Sequence, residues 1–402
     1  MRLEPIDPTD PRDVLRGLRG AVLGAGPAIA LGGARARGPS APDEVALPAE
    51  VPSGTAVVVT TSGSTGHPKS VAISRSALTS SALATAERLG SGAWLLALPA
   101  SYIAGVQVLV RSLVAGREPA ILAGSFSAQA FAAAAGAMAS SVGGERVPTY
   151  TSLVPAQLQT LLDAEADGLR TRLSSFEAVL VGGQALAPAL AARAADAGVR
   201  VVRTYGSSET SGGCVYDGVP LRDVGVRIVD GEVQVSGPML ADGYLGEPQR
   251  TDTEFVRDAD GIRWYRTGDA GTFDGVLRVT GRLDNVIISG GVNISLDRVE
   301  RVVRSLPGLS EAVVVAVPDE RWGQASVVAV ASDPTSAAIA ALRVEVRDAV
   351  GAALGAPARP RGILAIPKIP LLASGKPDRT ALRVLAEQAA QQAAEAGRSG
   401  TE

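Results

Sequence analysis

VVVTTSGSTGHPKSV, Val57–Val71, is the stretch on which the reading of this chain turns. Its first half is a β-branched run of the kind that fills a buried strand. Its second half strings glycines and hydroxyls together ahead of a lysine. Gly63 and Gly66 let backbone N–H groups converge on an anion, the hydroxyls of Thr61, Ser62, Ser64 and Thr65 add donors, and Lys69 adds positive charge. A Walker A loop needs Gly directly before its Lys, and Pro68 stands there instead. The pattern therefore predicts a phosphate loop of another kind. The plainer alternative is a polar turn after a strand, but such turns seldom collect so many Ser, Thr and Gly residues.

On both sides of this loop, apolar strands alternate with Ala-rich helical stretches. Strands are expected at Thr55–Thr61, Ala93–Leu98, Ala178–Gly182 and Val199–Thr204, and helices at Asp13–Leu23, Ser74–Leu89, Gly105–Ala115 and Pro188–Ala197. Such alternation predicts an α/β fold, with parallel sheets covered by helices and ligands at the loops beyond the strand C-termini. After about Asp217 the texture changes. Short strands at Gly225–Val229, Glu232–Ser236 and Val276–Thr280 are punctuated by Asp-Gly pairs at 230–231, 260–261 and 274–275. Both residue types tolerate positive φ, so tight antiparallel hairpins are expected. From Leu296 the order is helix (Leu296–Ser305), strands (Ala312–Val317, Ser326–Val330), helix (Ser336–Ala353), then loop. The expected organisation is a large domain over 1–283 with a β-rich subdomain over about 217–283. A small, mobile α+β domain follows over 284–386, and then a flexible Ala/Gln/Gly-rich tail over 387–402.

Composition narrows the chemistry. The 402 residues are 46% hydrophobic and 20% charged, enough apolar material for large cores. A net charge of −3 argues against a nucleic-acid partner, which needs clustered excess Lys and Arg. One His (His67) and one Cys (Cys214) exclude an internal disulfide and, within one chain, a structural zinc site of about four Cys/His ligands. A Ser-His-Asp hydrolase would have to use His67, and a Cys-His protease would have to pair His67 with Cys214. The start MRLEPIDPTDPRD is polar and does not read as a secretory signal. The uncharged window Leu89–Val110 is broken by Pro99, and Pro119–Gly144 is too rich in Ala, Ser and Gly for a lipid-facing helix. A cytoplasmic protein without a membrane span is expected; a homodimer is left open.

Five segments in order resemble the signatures of the adenylate-forming, AMP-binding acyl-CoA synthetase superfamily. They are TTSGSTGHPK (Thr60–Lys69), TYGSSET (Thr204–Thr210), YRTGD (Tyr265–Asp269), GRLDNVIISGGVNI (Gly281–Ile294) and LLASGKPDR (Leu371–Arg379). Three more, SYIAGVQVLVRSLVAG (Ser101–Gly116), YTSLVPAQL (Tyr150–Leu158) and TYGSSETSGGCVYDGVPL (Thr204–Leu221), are similar to the actinobacterial o-succinylbenzoate–CoA ligase branch of that family. The resemblance implies ATP-dependent adenylation of a small carboxylic acid followed by transfer to coenzyme A, with Mg²⁺. It leaves room for another aryl or short-chain acid, or for loading of a carrier protein.

By the same resemblance, Thr61, Ser62, Gly63, Ser64, Thr65, Gly66 and Lys69 cradle the β/γ-phosphates. Glu209 holds Mg²⁺, a hard cation that prefers carboxylate oxygen, and Ser208 or Thr210 contacts the α-phosphate. Tyr205, next to Gly206, stacks on adenine, and Gly182, Gly183 and Gln184 form the opposite adenine wall. Asp269 accepts from the ribose hydroxyls, with Arg282 nearby. Lys376 neutralises charge developing between the carboxylate and the α-phosphate. Asp284 is the hinge about which the small domain turns, and Ser289, Gly290 and Gly291 belong to the face that meets CoA. Taken singly, Glu209 could be a helix-end acid, Asp269 a turn residue and Lys376 a solvated loop lysine. Cys214 reads as a small buried hydrophobe, and His67 has no assigned chemistry. The departure is Tyr102, where relatives commonly carry His as a gate to the acyl pocket; Tyr remains neutral at pH 7. Arg111 and Arg203 are the candidate cations for a second carboxylate of the acid.

Overall fold

The computed structural model describes residues 1–31, 47–62, 68–138, 140–164, 168–319, 322–332, 338–372 and 375–399. Of the phosphate loop it describes only the flanks: Gly63, Ser64, Thr65, Gly66 and His67 lie outside the described residues. The fold is α/β. In the first sheet Leu3–Ile6, Ala28–Leu31 and Thr55–Ser62 run parallel, followed by Pro68–Ser74 and Gly243–Tyr244, each antiparallel to its neighbour. The phosphate stretch thus joins a hairpin, and Lys69 sits on its second strand opposite Thr61 rather than in the loop.

In the second sheet Val201–Ser207, Ala178–Val181, Thr149–Leu153, Ala93–Leu96 and Ala120–Ile121 lie side by side and parallel. Ala178–Val181 and Ala93–Leu96 are buried at every residue, which explains their unbroken apolar sequences. The Asp217-Gly218 pair turns the hairpin Gly212–Tyr216/Val219–Pro220, with φ of 50° and 83°, and this hairpin extends the same sheet. Helices Pro11–Leu23, Arg75–Leu89 and Ile103–Val114 share one core with both sheets, through Leu18, Leu78 and Leu109 against Val57, Val71, Leu96 and Leu180. Ser74 begins the second of these helices by accepting from Ala77 N–H at 3.2 Å. The other face of the second sheet is covered by a core of Phe131, Leu158, Leu161 and Leu173. The window Leu89–Val110 divides into strand, loop and helix, and no described helix is long and apolar enough to cross a membrane.

A third sheet, antiparallel, is built from Gly225–Val229, Glu232–Ser236, Arg263–Phe273, Phe255–Arg257 and Leu277–Arg282. Asp230 and Gly231 turn its first hairpin with φ of 51° and 81°, the two positive values a two-residue loop demands. The last strand runs from Leu277 to Arg282, because Val276 still belongs to the turn after Asp274.

Beyond Asp284 the chain forms a sheet of Val286–Ser289, Val292–Ser295, Val313–Asp319, Gly323–Ala331 and Gly362–Ile366. Val314 and Val328 face helices Leu296–Arg304 and Ala338–Leu354, while Val313, Val315 and Val327 face helix Arg379–Ser399, the two-residue period of a strand covered on both sides. Two expectations change. Gly362–Ile366, read as loop, is a strand that completes this sheet next to Gly323–Ala331. The stretch after Glu387, read as a flexible tail, is helical through Ser399, in keeping with the helix preference of its Ala and Gln residues.

Candidate active site

Each element of the site is a strand end or the turn that follows it. Val201–Ser207 runs into a single 3₁₀ turn, Ser208–Thr210, which buries Glu209. Thr210 closes that turn itself: its hydroxyl accepts from Ser207 N–H at 2.8 Å and donates to the Gly212 carbonyl at 2.7 Å. Of the two hydroxyls expected at the α-phosphate, Thr210's is therefore committed to backbone. Gly206 makes the close approach possible, since a Cβ there would lie 2.0 Å from the Gly212 carbonyl oxygen. Gly206→Ala must push two paired strands apart, and we expect it to destabilise the protein by about 1–3 kcal/mol and to lower ATP-dependent activity. An unchanged thermal midpoint would contradict this.

Glu209 meets Lys69 in a buried ion pair. Tyr244, on the edge strand Gly243–Tyr244, places its hydroxyl 2.9 Å from Glu209 Oε1 and also against Glu254. Its single proton serves one carboxylate at a time. Lys69 Nζ reaches the same hydroxyl at 3.4 Å, and Arg250 lies over the Tyr244 ring while bonding Glu254 at 2.8 Å. Burial pushes the Glu209 carboxyl up, but the Lys69 ammonium outweighs it and holds the group below its ordinary range. Thr61 Oγ1 is buried without a hydrogen bond, leaving one hydroxyl for a guest, while the Ser207 side chain supports the Glu209 carboxylate.

A second cluster stands beside the first. Tyr205 O–H donates to Asp269 Oδ2 at 2.6 Å, and Arg282 Nη1 donates to Asp269 Oδ1 at 3.3 Å and to the Thr267 carbonyl at 2.8 Å. Burial raises the Asp269 carboxyl above its usual range despite both partners. Burial and the adjacent Asp269 carboxylate together drive the Tyr205 hydroxyl well up. Arg282 also grips Asp284 through two bonds of 3.0 and 2.9 Å, so one guanidinium spans the passage into the last sheet.

Facing these groups is the wall after Val181. Gly182 lies so close to Val201–Ser207 that a Cβ would stand 2.3 Å from Thr204 Oγ1. Gly183 has φ of +80°, and a Cβ there would lie 3.7 Å from Lys376 Cε. Gln184 Nε2 donates to the Gly375 carbonyl at 3.4 Å. The Lys376 segment thus reaches this wall from the far side of Asp284. The protein around the Lys376 ammonium lowers its pKa; the Asp269 and Glu209 carboxylates oppose this and Arg282 adds to it.

Other expected residues lie apart. The pair Gly290-Gly291 turns the hairpin between Val286–Ser289 and Val292–Ser295, with φ of 57° and 80°, and packs on Trp322. Tyr102 is half-buried at the start of Ile103–Val114, and burial raises its hydroxyl pKa further. Arg203 is exposed and bonds Asp217. Arg111 is buried: its Nη2 donates to Tyr216 at 3.1 Å, its guanidinium covers the Trp94 ring, and its Nε has no partner. Cys214 is buried, and burial pushes its thiol up to about 12, so it carries no thiolate chemistry. Tyr244, Glu254 and Ser207 escaped the reading of the sequence. Only the last sits in a recognisable motif.

The AMP-binding enzyme family matches residues 28–245, and the AMP-binding enzyme C-terminal domain matches 298–376. A probable 2-succinylbenzoate–CoA ligase of Mycobacterium tuberculosis is 40% identical over 340 residues, 81% of this chain and 83% of its own length. The 2-succinylbenzoate–CoA ligase of Enterococcus faecalis is 31% identical over 80% of this chain and 67% of its own. Among solved structures, the o-succinylbenzoate CoA synthetase of Bacillus subtilis, in complex with its acyl-adenylate intermediate, superposes with a TM-score of 0.66 at 28% identity, covering 86% of this chain and 72% of that one. The amide bond synthetase McbA of Marinactinospora thermotolerans gives 0.68 at 29% identity, over 90% and 76%.

Proposed function

This chain belongs to the AMP-binding enzyme family, and on that premise we propose that it is an ATP-dependent carboxylate–CoA ligase acting on 2-succinylbenzoate in menaquinone biosynthesis. The observation that carries the reading is the placement of Lys376 against the wall at Gly183, where a Cβ would lie 3.7 Å from Lys376 Cε and where Gln184 bonds the preceding Gly375 carbonyl. A carboxylate is a poor electrophile, and activating it at phosphorus needs positioned charge rather than a base. That suits a chain with a single His.

In the first half-reaction a carboxylate oxygen of the acid attacks the α-phosphorus of ATP, forming a new P–O bond as pyrophosphate leaves. Thr61, Ser62, Gly63, Ser64, Thr65, Gly66 and Lys69 hold the β/γ-phosphates, and Ser208 faces the α-phosphate with Ser207 beside it. Asp269 takes the ribose hydroxyls, exchanging the Tyr205 proton for theirs, and Tyr205, Gly206, Gly182, Gly183 and Gln184 enclose adenine. Lys376 supplies the positive charge between acid and α-phosphate. The donor set suits Mg²⁺ arriving with ATP. Glu209 offers one hard oxygen for the ion, and no group of three or more carboxylate, His or Cys ligands occurs among the described residues. Bound there, the ion neutralises phosphate charge. Lys69 now occupies Glu209 and is displaced toward the phosphates when the nucleotide enters.

In the second half-reaction the CoA sulfur attacks the acyl carbon, AMP leaves with the C–O bond electrons, and the thiol proton passes to solvent. Residues 284–386 turn about Asp284 between the two, withdrawing Lys376 and presenting Ser289, Gly290 and Gly291. Arg111 supports the dicarboxylic acid, because a buried guanidinium with no carboxylate partner among the described residues is costly until an anion joins it. Arg111→Met should raise KM for 2-succinylbenzoate at least about tenfold while changing KM for benzoate less; equal changes would remove Arg111 from the pocket. Mass detection of thioesters from an acid panel tests the whole reading. No adduct with 2-succinylbenzoate beside a strong one with benzoate would reassign the substrate. Tyr102→His should leave turnover within a few-fold, since a neutral aromatic gate suffices.

A further inference from the structure

The core of the small domain contains a carboxylate that the reaction scheme above does not use. Glu300, buried in helix Leu296–Arg304, accepts from Arg304 at 2.9 Å on Oε1, and on Oε2 from Val314 N–H at 2.9 Å and Arg379 Nη2 at 2.7 Å. Arg379 Nη1 donates in turn to the Val314 carbonyl at 2.7 Å. One carboxylate and one guanidinium therefore tie together a helix, the strand Val313–Asp319 and the first residue of helix Arg379–Ser399.

Arg379 lies three positions after Lys376, and the chain between them is closed tightly. Leu371 bridges Pro377, Leu372 N–H donates to the Lys376 carbonyl at 2.8 Å, and Asp378 N–H donates to the Pro370 carbonyl at 2.9 Å. The Asp378 side chain caps the helix by accepting from Ala381 N–H at 2.9 Å. The segment carrying Lys376 thus leaves the domain as a narrow projection whose base is pinned at Arg379. Among the described residues, its tip meets the large domain through the long Gln184–Gly375 bond, the packing of Gly375 near Val154 and the approach of Lys376 Cε to Gly183.

We propose that Arg379 and Glu300 are positioning residues for the adenylation step: the ion pair that Arg379 makes with the buried Glu300 carboxylate fixes the angle at which Lys376 enters the site. The inference rests on Lys376 acting in that step. It also explains why so costly an arrangement sits in a small core, where an apolar triad of similar volume would stabilise as well or better. A displacement of about 1 Å at a charge-neutralising group costs on the order of a hundredfold in rate.

The half-reactions separate this role from mere stability. Adenylation is read as ATP–pyrophosphate exchange with 2-succinylbenzoate, and thioester formation as AMP release from the synthetic acyl-adenylate plus CoA. In Arg379→Lys, which keeps the charge but loses the planar fork that holds Val314 and Glu300 from two separate nitrogens, exchange should fall about 10- to 100-fold while thioester formation stays within about threefold. Glu300→Gln, which keeps the volume, should show the same selectivity. Equal losses in both half-reactions would mean that the pair only holds the small domain together, and no loss would mean that it positions nothing; either overturns the proposal. Lys376→Ala is the reference: if it exchanges as well as the unaltered chain, the premise about Lys376 fails rather than the inference about Arg379.

Discussion

Lys376→Ala is expected to slow ATP–pyrophosphate exchange by about 10²–10³-fold, the loss typical of removing one preorganised group that meets developing charge. Thioester formation from a supplied acyl-adenylate should persist if, as proposed, that step uses the other face of the small domain. The same residue sets a pH signature. Burial, opposed by the Asp269 and Glu209 carboxylates, leaves the Lys376 pKa below the ordinary 10.5. The acting form is the ammonium, so exchange should hold at neutral pH and decline as pH rises through that lowered value, earlier than the ordinary lysine pKa would allow. The acyl-adenylate reaction should lack this Lys376-dependent alkaline limb already in the unaltered chain. Parallel decline of both half-reactions in the variant would show that Lys376 is structural.

Glu209→Gln carries the second large effect, and it acts twice. The buried ion pair with Lys69 is broken from one side, which leaves an ammonium facing Tyr244 alone; such losses cost about 3–5 kcal/mol. The lower end is expected here, because Lys69 keeps some contact with solvent. On the proposed role of Glu209 as an oxygen ligand of the nucleotide's Mg²⁺, that ligand is also removed, so exchange should fall at least about 100-fold and need more Mg²⁺ for half-maximal rate. Adding Lys69→Met removes the orphaned charge and should restore much of the thermal midpoint without restoring exchange. Recovery of both together would mean that Glu209 serves folding only.

Much of the scaffold was legible because its signals are local. Ala178–Val181 and Ala93–Leu96 are apolar at nearly every position since both sheet faces are covered, and Asp230-Gly231 announces a turn by its tolerance of positive φ. Gly362–Ile366 was not legible as a strand: five residues after a Pro- and Arg-rich stretch become one only because the edge of Gly323–Ala331 is open to them. Helix Arg379–Ser399 was under-read for the opposite reason, its Ala and Gln content having been weighed as low complexity rather than as helix preference. In the site, Glu209, Asp269, Lys69 and Lys376 stand in motifs. Tyr244 and Glu254 do not, and their part in holding Glu209 appears only once Gly243–Tyr244 pairs with Pro68–Ser74.

By itself the sequence determined which chemistries are closed to this protein and which motif residues are available. One His and one Cys leave charge and backbone as the tools, and the ordered segments name the groups that bear it. Tertiary structure alone decided which of those groups face one another. Lys69 reaches Glu209 because Lys69 lies opposite Thr61 in a hairpin register that turns its side chain toward the end of Val201–Ser207. Among the described residues Arg111, and not Arg203, lacks a carboxylate partner, because one lies buried against Trp94 and Tyr216 and the other lies outside beside Asp217. Residue types and local turns are encoded within a few positions. Partners brought together by sheet register and domain packing are separated by scores of residues, and a single chain of letters carries no signal of that distance.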